Sequence, residues 1–181
     1  MDHIRPLIES GHIHFGENKV QEALEKWSEI KKNNKSLKLH MVGKLQTNKV
    51  KFALKIFDYI HSLDNLKLAK KISEEQKNYV NKPKIFIQIN IGNENQKSGV
   101  SKNNILGFYN ECKKLNLDII GTMCLPPIHK NPKIFFSEMK KINSYLKLKE
   151  ISMGMSNDYL DAISYKATYL RIGTKIFGGR S

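Results

Sequence analysis

Residues 150–180 read EISMGMSNDYLDAISYKATYLRIGTKIFGGR, and this stretch decides the fold. EISMGM (150–155) and YLRIGTKIFG (169–178) are β-rich runs, and a short helical pattern marked by Leu160 and Ile163 lies between them. Each run gives way to glycines and hydroxyls: Gly154 and Ser156 in the first, Gly173 and Thr174 in the second. A strand, a helix and a second strand in that order make a parallel pair with a helical crossover. Small residues, hydroxyls and free backbone N–H groups after such strands suit an anion. In a barrel of β/α units, the loops after the last two strands are the usual phosphate site.

The same alternation runs back to the start of the chain. Five more strand candidates are HIHFG (12–16), KLHMVG (38–43), FDYIHSL (57–63), KIFIQINIG (84–92) and DIIGTMCL (118–125). Between them, apolar residues recur at helical spacing: Val20, Leu24 and Trp27, then Val50, Leu54 and Phe57, then Leu66, Ala69, Ile72 and Tyr79. Ile105, Tyr109 and Cys112 follow, and after them Phe135, Met139, Ile142 and Leu146. Asn131-Pro132 is a sound helix start, a capping amide before a proline. Seven strands fit either a doubly wound sheet or a (β/α)8-type barrel. No glycine-rich dinucleotide fingerprint follows the first strand, which favours the barrel. A closed barrel needs eight strands, and the sequence opens inside a helix that feeds a strand. The expectation is therefore one domain over residues 1–181, incomplete at its N-terminus.

Composition narrows the class. Hydrophobic residues make up 40% of 181, too many for a disordered chain and ordinary for a globular one. No apolar run is long enough to span a bilayer, and the first residues do not form a signal peptide, so a cytoplasmic protein with no membrane contact is expected. Cys112 and Cys124 read as two reduced thiols. The net charge of +14 comes from lysines spread over helix faces; only Arg5, Arg171 and Arg180 are arginine. Such a spread reads as compositional bias. With no binding motif and no stripe of aromatic and basic residues, nucleic-acid binding is not expected.

Four strand ends stand out as chemistry: HFGENKVQEA, MVGKLQTNK (41–49), ISMGMSND (151–158) and RIGTKIFGGR (171–180). Arg171 is an arginine inside an apolar strand end of a lysine-rich chain. A planar, permanently charged fork there suits a fixed acceptor, or a structural ion pair. Ser156 reads as a phosphate ligand or as the cap of the next helix, and Asn18 as a ligand or a turn residue. His12 and His14 share a strand face, but no third ligand follows, so no metal site is expected. His61 and Asp64 are placed for an acid–base pair or a strand-end hydrogen bond. Cys124 reads as core.

Taken together, HFGENKVQEALEKW, LHMVGKLQTNKVK, IHSLD, IFIQINIGNENQKSGV, GTMCLPP, ISMGMSNDYLDAI and YLRIGTKIFGGR resemble the pyridoxal 5′-phosphate (PLP) homeostasis protein family, in its order and over nearly the whole chain. The resemblance implies a barrel of the alanine racemase N-terminal type, lacking its first strand, that binds PLP at its strand ends. By the same resemblance Arg171 faces the pyridine nitrogen, and Ser156, Gly173 and Thr174 hold the phosphate beside Met155. Asn18 lies near the ring's polar substituents. The family's Schiff-base lysine falls upstream of Met1, which points to a misassigned start or a broken gene, and Lys19, Lys44 and Lys49 are poor substitutes. The expected function is PLP (vitamin B6) homeostasis without turnover, by a monomer whose partners are PLP and PLP-dependent apoenzymes. The alternatives are a barrel enzyme for a phosphorylated metabolite, a racemase-like PLP enzyme, and a fragment with no function of its own.

Overall fold

A computed structural model describes residues 3–94 and 96–179. Met1, Arg180 and Asn95 of the NENQKSG segment, all used in the sequence reading, lie outside them. The chain opens with α1 (Arg5–Glu9), β1 (His14–Glu17), α2 (Val20–Asn33) and β2 (Lys38–Met41). A 3-10 turn (Thr47–Lys49) then enters α3 (Val50–Ala53), followed by β3 (Tyr59–Leu63), α4 (Leu66–Glu75), β4 (Lys84–Ile89) and α5 (Ile105–Lys114). The last third is β5 (Ile119–Cys124), α6 (Pro132–Tyr145), β6 (Glu150–Met155), α7 (Tyr159–Ser164), β7 (Tyr169–Arg171) and α8 (Thr174–Phe177).

The seven strands form one parallel sheet in the order of the sequence, each paired with the next. Among the described residues no ladder joins β7 to β1. The sheet nevertheless curls until its two edges meet side chain to side chain, the rings of His14 and Tyr169 lying 6.3 Å apart. It is a nearly closed β/α barrel. Because the crossovers put helices on the outside, β3 and β4 are buried on both faces, YIHSL throughout and KIFIQI after its first residue, with His61, Ser62 and Gln88 among the buried side chains.

Two apolar layers result. The larger lies between strands and helices, with Trp27, Leu39, Ile60, Leu68, Ile72, Ile87, Phe136 and Met153 fully or almost fully buried. The smaller fills the barrel interior with Tyr59, Phe86 and Met123, flanked by Ile120, Leu125 and Tyr169. Trp27 fixes α2: its ring packs on Phe15 of β1, and its Nε1–H donates to the Glu17 carboxylate at 2.7 Å. Truncating it to alanine removes about 3–5 kcal/mol. The expected start of α6 is present, with the Asn131 side chain accepting from the Lys133 amide and Pro132 in the first turn.

Several expectations are corrected. β1 begins two residues late, at His14. β7 stops at Arg171 instead of reaching 178, because the chain turns at Gly173 into α8. In α7 Leu160 and Ile163 face out, and Ala162 is the buried residue. Gly154 explains this: a Cβ added there would sit 2.6 Å from Ala162 Cβ, so α7 lies too close to β6 for a larger side chain. Leu66 is also exposed, since Asn65 caps α4 and the buried stripe starts at Leu68. Among the described residues no helix is long and apolar enough to cross a membrane.

Candidate functional site

Met155 of β6 stands in register with Arg171 of β7, and the loops after these strands fold onto one another. Ser156 is buried. Its Oγ accepts from the backbone N–H of Gly173 at 3.2 Å and of Lys175 at 3.3 Å. The helix it serves is therefore α8, not the next helix α7, and no side-chain cap is made on α7. With two donors directed at its oxygen, the Ser156 hydroxyl keeps its own hydrogen for a further acceptor. Gly154, at φ +91°, permits the bend that brings Ser156 there. Asp158 Oδ1 accepts from the Met155 amide at 2.6 Å and secures the turn. Thr174 is exposed at the head of α8, and the space where Gly173 would carry a Cβ is open.

Arg171 reaches inward. Its Nη1 donates to Ser152 Oγ and its Nη2 to the Cys124 carbonyl, both at 2.7 Å. Among the described residues no ion pair joins it to a carboxylate, so the structural ion pair is not found. Burial lowers its pKa, although a guanidinium stays charged. A buried cation with neutral partners attracts an anion or a lone pair from its open side.

The structure thus brings Met155, Ser156, Arg171, Gly173 and Thr174 together at adjacent strand ends. Asn18 stands at the same end of the sheet but after β1, on the other edge. It is exposed, and its backbone packs under Gly43. His61 does not pair with Asp64; it bonds His40 and Ser152 instead, because its side chain points into the barrel. His12 Nε2 lies 2.6 Å from the carbonyl oxygen of His14 and His14 Nδ1 2.9 Å from His40 Nε2, and no group of three or more His, Cys, Asp or Glu placed to hold a metal occurs among the described residues. Cys124 is core, its thiol pushed up to about 12 by burial. Lys19 is paired with Glu22, Lys44 is exposed, and the Lys49 ammonium lies 6.0 Å from the Phe52 ring. The Lys175 ammonium sits 4.7 Å over the Tyr159 ring. Ser152, His40 and the Cys124 carbonyl were not marked by sequence reasoning.

A parallel β/α barrel with its polar cup on the last two strands is the alanine racemase N-terminal type of domain, and the model of that family, "Alanine racemase, N-terminal domain", matches residues 1–181. The chain belongs to the pyridoxal phosphate homeostasis protein family. It is 36% identical to the pyridoxal phosphate homeostasis protein of Aquifex aeolicus, over 98% of this chain and 81% of the relative. It is 33% identical to that of Pasteurella multocida, over 99% and 82%. PipY of Synechococcus elongatus superposes with a TM-score of 0.91 without PLP, at 31% identity, over 98% of this chain and 87% of PipY. With PLP bound, PipY superposes at 0.88, over 97% and 86%. An alanine racemase of Clostridium difficile, 16% identical at a TM-score of 0.74, shares the fold.

Proposed function

We propose that this chain binds PLP at the strand-end cup and serves its homeostasis as a carrier without turnover. The observation that carries the reading is the juxtaposition of the Ser156 hydroxyl, bound by two amides at the head of α8, with the buried and carboxylate-free guanidinium of Arg171. The cup fits the group: Ser156 and Thr174 offer hydroxyl donors to a phosphate, and the ground above Gly173 is open. Arg171 offers N–H to an unprotonated ring nitrogen, and Met155 stands beside them. Asn18 is assigned to the ring's polar substituents from the opposite edge. When bound, PLP supplies an aldehyde and an electron-withdrawing ring. A permanent cation beside the ring nitrogen disfavours its protonation and weakens that electron sink, which suits carriage better than turnover. The same reading takes the chain as one monomeric, cytoplasmic domain that hands the cofactor to apoenzymes.

Binding by these residues is non-covalent, since none of Asn18, Met155, Ser156, Arg171, Gly173 and Thr174 carries a primary amine that could form an imine with the aldehyde. Titration of the chain with PLP, followed by absorbance and equilibrium dialysis, is expected to give one site per chain. Ser156→Ala and Arg171→Gln each weaken it. Borohydride is expected to leave no pyridoxyl–lysine adduct. Equal affinity for pyridoxal without its phosphate would remove the cup from the account. Protection against heat by a sugar phosphate but not by PLP would replace the reading with an enzyme of phosphorylated metabolites.

A further inference from the structure

Behind Arg171 a file of polar side chains crosses the barrel interior. His14 Nδ1 lies 2.9 Å from His40 Nε2, His40 Nδ1 lies 2.9 Å from His61 Nε2, and His61 Nδ1 lies 2.8 Å from Ser152 Oγ, which accepts from Arg171. The file starts at the first residue of β1, exposed to solvent, and ends at the last residue of β7. Aromatic rings wall it off. Tyr59 stacks on His40 and Phe86 on His61, each at 4.2 Å, while Tyr169 touches all three imidazoles.

Satisfying every atom fixes the direction of these bonds. Ser152 is fully buried, and among the described residues its oxygen has two partners, Arg171 and His61. Arg171 can only donate, so the serine hydrogen must go to His61 Nδ1 or be orphaned. His61 then carries its proton on Nε2 and gives it to His40 Nδ1. His40 likewise donates from Nε2 to His14 Nδ1, and His14 presents Nε2–H to solvent. A hydroxyl that donates is a stronger acceptor, so this polarity tightens the hold on Arg171.

We propose that Ser152, His61, His40 and His14 are positioning residues for Arg171, forming a hydrogen-bond relay with two polarities whose choice is set by the protonation of His14. An imidazolium at His14 has two donors and no acceptor, so the file must reverse. One proton is added, at His14. His40 and His61 each keep a single proton and exchange it from Nε2 to Nδ1, remaining neutral. Ser152 Oγ then receives both His61 and Arg171, its hydrogen loses its acceptor, and the guanidinium is held less firmly. The charged and titratable groups facing the file are His12 ahead of β1, Lys31 on α2, Lys38 on β2, Asp58 and Tyr59 at the start of β3, and Tyr169 and Arg171 on β7. Only Asp58 favours a cation. Burial, first, and then the neighbouring cations and imidazoles keep His40 and His61 neutral, which reversal without charging the interior requires.

The test needs no ligand and uses the whole chain labelled with 15N in histidine. Two-bond proton–nitrogen correlation reads the tautomer of each ring. Above neutral pH all three rings are expected as Nε2–H. As His14 titrates, His40 and His61 are expected to stay neutral and move to Nδ1–H, and the Arg171 guanidinium protons to exchange faster with water. His14→Gln, whose amide oxygen accepts from His40 but does not titrate, is expected to fix His40 as Nε2–H throughout. Rings found as Nδ1–H above neutrality, or a His40 tautomer that stays unmoved while His14 gains its proton, would overturn the proposal. Ser152→Ala is expected to abolish the preference of His61 for Nε2–H, and retention of that preference counts equally against the relay.

Discussion

Arg171 Nη2 lies 2.7 Å from the carbonyl oxygen of Cys124, so the last strand is tied across β6 to the end of β5. With the bond from Nη1 to Ser152, the guanidinium spans three strands. A sheet whose two edges form no ladder with one another among the described residues gains from such a clasp, and Tyr169 of the same strand adds a side-chain hydrogen bond to Tyr59 of β3.

Arg171→Lys keeps the charge but replaces a fork by a point. One ammonium on a shorter stem cannot reproduce both fixed bonds, and hydrogen bonds to charged groups contribute roughly 1.5–3 kcal/mol each. The variant is expected to lose about 2 kcal/mol of stability in urea denaturation with the slope unchanged. A midpoint equal to that of the parent chain would show that the clasp contributes nothing.

Gly154→Ala is expected to be more damaging than its size suggests. The residue has φ +91°, where side chains are strained, and its added Cβ would stand 2.6 Å from Ala162 Cβ and 3.1 Å from Leu170 Cδ2. Strain and overpacking together cost roughly 2–4 kcal/mol. Ala162→Gly in the same chain relieves the tightest contact and leaves the backbone strain and the Leu170 contact, so partial recovery of the melting temperature in the double variant, against the Ala162→Gly single variant, measures that one contact.

Cys112 and Cys124 are both buried, and burial pushes each thiol up to about 12. The thiolate is the reactive form, so neither is expected to react at neutral pH on the timescale of an exposed thiol. An aromatic disulfide reagent should count no thiols in the native chain and two in guanidinium. Prompt native reactivity at one site would show that the barrel opens at β5 or α5.

The fold was legible because its signals are local and repeated: apolar runs of strand length, helical stripes between them, glycine and hydroxyl residues after strands. Ser156, Gly173 and Arg171 were legible for the same reason, each being a residue type out of keeping with its surroundings. What failed were features set by distance across the fold. Ala162 displaces Leu160 and Ile163 from the interface because α7 presses on Gly154, a contact between elements. His61 turns to His40 and Ser152 because three strands bring them to one axis. Their phase was on the page, His40 in KLHM and His61 in YIHS each two residues from another inward position, but phase alone does not say which inward residues meet.

Acid should loosen this barrel well before its carboxylates titrate. His40 is held at about 3 by burial first and by His14 second, and His61 is lowered well below its ordinary value by burial, His40 and Arg171. In the unfolded chain both rings take their proton near 6.5. The unfolded state therefore binds protons first as the pH falls, and folding must keep two rings neutral. The contribution of each ring is present above the unfolded value of about 6.5 and is lost progressively as the pH drops, for His40 down to about 3. Each ring costs about 1.4 kcal/mol at one pH unit below its unfolded value. Denaturation midpoints measured between pH 7.5 and 5.5 are expected to fall by the sum for both rings. His40→Gln starts from a less stable chain and should show roughly half the slope. A midpoint independent of pH over that range would mean that the rings gain protons without unfolding, and that the interior is wetter than its aromatic walls imply.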